Sequence, residues 1–263
     1  MRALPFSPEE FLAVFAEHNE AIWPLQLVAY VVGAIGLAPA LWRRAGLDRL
    51  AAAALAVMWV FTGVAYHWLA FAHINGVAYF FGATFILEGA LIAYAGSIGV
   101  LSFQGPRSVL LTALASILVI YSAFVYPVIG LALHGYPSVP LFGTTPCPVT
   151  LYTLGILLLT TRRPWWLFVV PVGWALVGGS AAVLLAVPQD WILLASAPTV
   201  IAILLLSSQR PTPSRVEHVG IFGCARSRRP FGEPSMLGTT NTEFENGCEH
   251  QERAGRPDQT IRR

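Results

Sequence analysis

Residues 109–133 read VLLTALASILVIYSAFVYPVIGLAL, twenty-five positions without one charged side chain. A bilayer core is about 30 Å thick, and about 20 apolar residues in a helix cross it. Lipid offers no hydrogen bonds to the backbone, so a run of this kind must satisfy itself as a helix. Working outward, similar runs lie at 23–42, 51–72, 77–100, 146–161, 165–187 and 190–208. The pattern predicts an all-α fold, a polytopic transmembrane helix bundle of about seven spans. The run at 146–161 is short for a crossing.

Charge agrees with this reading. Only 11% of the chain is charged, under half the roughly 25% of a soluble domain. Such a surface suits lipid better than water. The sixteen basic residues are all arginine, and their placement sets an orientation. Arg43, Arg44 and Arg49 fall at the first connection, Arg107 in the third, Arg162 and Arg163 in the fifth. The even connections, 73–76, 134–145 and 188–190, hold none. By the positive-inside rule the odd connections are cytoplasmic, which predicts a multi-pass protein of the cell membrane with its N-terminus outside and C-terminus cytoplasmic. If the run at 146–161 did not cross, Arg162 and Arg163 would stand on the wrong side.

Three regions are expected: an N-terminal helix over 1–22, the bundle over 23–208 and a tail over 209–263. The opening stretch lacks the basic-then-apolar order of a signal peptide, so the first apolar helix is expected to direct insertion. Ser7-Pro8-Glu9-Glu10 carries the marks of a helix start, with Ser7 as N-cap and Glu10 closing a capping box. Phe11, Leu12, Phe15 and Ile22 then form an apolar stripe, away from Glu9, Glu17 and Glu20. That pattern fits an amphipathic helix on the outer surface, or a capped lead-in to the first span. The tail is polar, with nine arginines against seven acidic residues. It cannot bury a core, is expected to be disordered and cytoplasmic, and its near balance points to no nucleic-acid partner. Cys224 and Cys248 would be unpaired thiols there.

An ionisable side chain inside a span costs at least about 2.5–3.5 kcal/mol, so each is a candidate for function. Glu88, in ATFILEGALIAY, lies near the middle of the third span. His67, in GVAYHWLAF, lies near the outer end of the second. Glu88 is readable as a proton or cation carrier, or as a neutral acid donating one hydrogen bond to a neighbouring helix, with Tyr66, His67 and Thr84 as the partners in reach. His67 suits the same carrier role or an aromatic belt beside Tyr66 and Trp68. The connection 134–148, HGYPSVPLFGTTPCP, is too apolar for a free loop and leads straight into the short fifth run. It is expected to pack down onto the helix ends, or to dip between them. His134, Cys147 and Asp190 all fall on that outer side and complete the candidate set. None of these residues has a recognised metal-ligand spacing, and no catalytic or cofactor-binding motif occurs. Gly178-Gly179-Ser180-Ala181-Ala182 offers a small-residue face for close helix packing.

The stretches AYHWLAFAHIN, HGYPSVPLFGTTPCPVTLYTLG and VGGSAAVLLAVPQD, with the opening FSPEEFLAVFAEHNEAIWP, resemble a domain-of-unknown-function family of multi-spanning bacterial membrane proteins. The likeness covers roughly residues 5–205. Some members are labelled MFS transporter permeases, but that superfamily is built of two six-helix halves, which seven helices do not make. The resemblance implies the membrane fold and supplies no activity, substrate or site residue. Three functional readings follow. The chain is a transporter or permease-like protein for a small solute or ion, a structural or sensory membrane protein without catalysis, or a membrane-embedded enzyme or redox protein using the outer His, Cys and Asp. Its expected partners are the bilayer and such a solute.

Overall fold

Ser7 accepts from the Glu10 amide at 3.1 Å while its own amide donates to Glu10 Oε2 at 2.7 Å, so the capping box forms and starts helix α1, Pro8–Ala21. The structure, a computed structural model, describes residues 5–44, 46–104, 108–185 and 187–208. Those residues fall within one compact unit, Met1–Thr212. They are helical with no strand among them. Arg107, Cys224, Cys248 and the expected disordered tail lie outside the described residues.

After α1 come α2 (Leu25–Trp42), α3 (Leu47–Phe61), α4 (Ala78–Ser97), α5 (Val109–Ile120), α6 (Tyr126–His134), α7 (Pro146–Leu158), α8 (Val169–Gly179), α9 (Ala181–Leu184) and α10 (Asp190–Ser208). Two wide, π-helical turns interrupt the regular spiral. One, Thr62–Trp68, prolongs α3, and the other, Tyr121–Val125, joins α5 to α6. Counted with their extensions, six segments are long and apolar enough to cross a membrane: Leu25–Trp42, Leu47–His73, Ala78–Ser97, Val109–His134, Trp165–Leu184 and Asp190–Ser207. The protein is thus a membrane helix bundle. The sequence places the second span's start at 51, but helix continues back to Leu47.

The fifth run differs from the others. Its helix, α7, has 13 residues, about 20 Å at 1.5 Å per residue. Twelve of those residues are buried. A helix apolar on all sides belongs in a core, and α7 packs among α2, α3, α5, α8 and α10. At 13 residues it is not among the six segments long enough to cross, and non-helical chain continues it at both ends. At one end Thr144 and Thr145 are buried below α1. At the other, the Thr161 amide donates to Ser102 O at 2.7 Å, in the connection after α4. That second end also carries Arg43, whose guanidinium donates to Gln104 O at 2.8 Å. Arginines 43, 44, 162 and 163 therefore share one end of the bundle, and α1 caps the other.

The connection before α7 packs down as expected. Val139, Phe142, Thr144 and Thr145 are buried. Gly143 adopts a left-handed φ of +74°, and a Cβ there would stand 2.7 Å from the Ala29 methyl. Only glycine combines that backbone with that approach. The apolar stripe of α1 also meets protein. Val14 and Phe15 cluster with Tyr66, Ala70, Phe71 and Ala78, while Phe11 and Leu12 pack at the edge.

Candidate functional site

Between α1 and the helix ends lies a cavity of about 210 Å³. Rings form one part of its wall, among them Phe15, Tyr66, Phe71, Phe81 and Trp174, and aliphatic side chains such as Leu12, Val177 and Leu184 another. Three of the five residues singled out by sequence, His134, Cys147 and Asp190, line it together. They come from α6, α7 and α10, so the fold gathers side chains that lie up to fifty-six positions apart. His134, the last residue of α6, is exposed at the rim.

The wide turn at Tyr121–Val125 builds the polar corner. The extra residue it admits re-aims the ring that follows, a common use of such turns at functional sites. Tyr126 donates its hydroxyl to Asp190 Oδ1 at 2.6 Å, and Tyr121 donates to Gln189 O at 3.0 Å. The two phenols hold the start of α10 against the cavity. The Cys147 thiol interacts with both Tyr126 and Asp190. Trp174 is its further side-chain partner. Beside Asp190, Gln189 is 1% exposed and both atoms of its carboxamide lack a hydrogen-bond partner.

His67 and Glu88 stand apart from this cavity. The His67 ring is fully buried behind the wall, with ring centroids 4.7 Å from Phe85, 5.0 Å from Trp174 and 5.3 Å from Tyr66. Neither of its nitrogens has a hydrogen-bond partner. Glu88 is also fully buried, on the α4 face that carries Phe85 and Ile92, and neither carboxyl oxygen is partnered. Thr84 donates back to Phe80 O at 2.9 Å in its own helix. The hydrogen bond that sequence reasoning expects from Glu88 to Tyr66, His67 or Thr84 is not formed among the described residues. No group of three potential metal ligands occurs among them either.

The roof of the site rests on two residues that sequence reading passed over. Asn19 Nδ2 donates to Pro137 O and Val139 O, each at 2.7 Å. His18 Nε2 lies 3.1 Å from Thr144 O. Burial pushes the His18 imidazole down to about 4, against the pull of the Thr144 and Ala65 carbonyls. A signal for both existed. They sit three and four positions after Phe15, on the stripe that faces the protein, and a polar group on an apolar face needs a partner. Tyr126 and Gln189 carried no comparable mark.

No curated protein and no solved structure matches the chain. One family model does, over residues 8–215, a stretch that runs from the first residue of α1 past the last described residue of α10. That match takes in every element of the bundle and most of the chain, and the protein accordingly belongs to the family described as Family of unknown function (DUF6064).

Proposed function

We propose that this membrane protein binds a small solute in the cavity beneath α1 and carries it across the bilayer as a permease-like protein. The observation that carries the reading is the cavity itself, walled by aromatic and aliphatic side chains, with Cys147, Asp190 and Gln189 on its surface. Apolar pockets with a few convergent polar groups are the usual form of a solute site. The gathering of Arg43, Arg44, Arg162 and Arg163 at the opposite end supports a cytoplasmic location for that end, by the positive-inside rule. The cavity and α1 then face outward. Glu88 and His67, unpartnered and fully buried between the two ends, are the proposed proton-carrying groups of the transport cycle.

One observation favours a sensory reading instead. Trp59 packs against Phe85 in the core, at 4.4 Å between ring centroids, and the buried α7 occupies the middle of the bundle. A sensor needs the site and no route through. The two separate by labelling Cys147 in the full chain carrying Cys224→Ser and Cys248→Ser. The probe is the impermeant methanethiosulfonate-ethyltrimethylammonium, applied to right-side-out and inside-out vesicles. A carrier that alternates its access is labelled in both. Labelling in one orientation alone overturns transport and leaves the sensor, and labelling in neither overturns solute binding at this cavity.

A further inference from the structure

The polar groups of the cavity are unevenly distributed, and the unevenness bears on what it binds. Acceptors gather where α10 begins. Asp190 accepts from Tyr126 at Oδ1 and interacts with the Cys147 thiol, which still leaves acceptor sites of its carboxylate unused. Gln189, one residue earlier, holds an unpartnered carboxamide in the same wall, whose oxygen adds an acceptor and whose nitrogen a donor. Against these acceptors stands almost no positive charge. The chain contains no lysine, and among the described residues no arginine lines the cavity and His134 at the rim is the one lining group able to become cationic. Tyr66, Phe71, Phe81 and Trp174 put ring faces around the space, alongside aliphatic side chains such as Val177 and Leu184. Asn75, Thr145 and Ser180 are further polar groups.

A carboxylate beside a free carbonyl, set among ring faces, is complementary to an ammonium group. Its N–H donors match the acceptors, and its charge is attracted to the rings. An anion would meet Asp190 with no counter-charge. A neutral molecule would bring Asp190 no counter-charge and leave it with Tyr126 and Cys147 alone. The volume suits a single ring or a short aliphatic body, since a cavity of roughly 150 Å³ already holds benzene. We propose that the site takes a small organic cation, a primary amine on a compact apolar body, with its nitrogen at Asp190 and Gln189 and its body among the rings. This rests on the reading of the cavity as a solute site.

The test compares three probes of one shape on the full chain in lipid nanodiscs: 2-phenylethylamine, 2-phenylethanol and 3-phenylpropanoate. Titration calorimetry should find the amine at least about tenfold tighter than the alcohol, a difference of about 1.4 kcal/mol, with no binding of the carboxylate. In Asp190→Asn, which still accepts from Tyr126, the amine should fall to the level of the alcohol. Gln189→Leu, outside the Tyr126 pair, should weaken the amine more than the alcohol. If the alcohol binds as well as the amine, or the carboxylate binds better than either, the cation assignment fails while the solute site stands. If none of the three binds, both fail.

Discussion

His18 and Thr144, 126 positions apart, meet at 3.1 Å from imidazole nitrogen to carbonyl oxygen, and this contact seats the first helix on the connection that leads into α7. The imidazole is 3% exposed, and it is held neutral at pH values where a free histidine charges.

The contact predicts that acid loosens α1. With α1 docked, His18 titrates at about 4, and with α1 released it returns to its ordinary 6.5. The released state binds more protons between those values, so docking is at full strength above pH 6.5. It weakens as pH falls toward 4 and levels off below that. The total is about 3 kcal/mol at 1.36 kcal/mol per unit. Hydrogen exchange of the α1 amides, corrected for intrinsic rate, should rise over that window, and His18→Gln should flatten the response. Wild-type protection that is constant from pH 7 to 4 contradicts the assignment.

Asn19→Ala should free the connection 135–145. The substitution strips the buried Val139 carbonyl and the part-buried Pro137 carbonyl of their donor, and a buried group left unsatisfied costs about 1–3 kcal/mol. Limited proteolysis of right-side-out vesicles should spare this connection in the wild type and cut it in the variant. Equal resistance in both would show that packing of Val139 and Phe142 suffices without the carboxamide.

At Glu88 the expected order of stabilities is unusual for a removed acid. Both carboxyl oxygens are buried without a partner, so Glu88→Leu should leave the thermal midpoint unchanged or raise it, by up to about 3 kcal/mol in free energy. Glu88→Gln keeps the unmatched polar head and should gain nothing. Melting curves in one detergent decide this. A Leu variant that melts well below the wild type reveals a hydrogen bond that the resting conformation does not contain.

Gly179 should tolerate no side chain, whereas Gly173 on the same helix should. A Cβ at 179 would stand 2.8 Å from the backbone of Leu194, which forces α8 and α10 apart, while at 173 nothing lies within 4 Å. Gly179→Ala should cost about 1–3 kcal/mol. Gly173→Ala should be neutral or stabilising, as Ala replaces Gly within a helix. Equal melting of the two variants would show that α8 and α10 are not in register as described.

The membrane fold is legible in the sequence because lipid imposes a length and a composition, and the run at 109–133 meets both without ambiguity. The cap on Ser7 and the close approach at Gly179 are legible for similar reasons, since each depends on neighbours in sequence or on residue size alone. The site is legible only in part. His134, Cys147 and Asp190 stand out as polar residues at span ends, yet nothing local says that they share one cavity. The corner that joins two of them adjoins the wide turn at Tyr121–Val125, in a stretch where Ser122 alone departs from residues that favour ordinary helix or strand. Glu88 and His67 stand out for the cost of their burial, but the rings that separate them from the cavity come from α4 and α8.

The burial of α7 also bears on how the protein is made. Thirteen residues are too few for lipid to accept as a crossing in their own right, and the flanking segments carry bare peptide groups that hydrocarbon does not solvate. The ribosome delivers this stretch after α6 and before α8, so two of its eventual neighbours, α8 and α10, do not yet exist when it emerges. Nascent α7 therefore has to be sheltered at the insertion machinery, or lodged against α5 and α3, until the last two crossings close around it. Assembly of this bundle ends from the C-terminal side, and a ribosome stalled before residue 190 would leave an unfinished protein with its core segment uncovered.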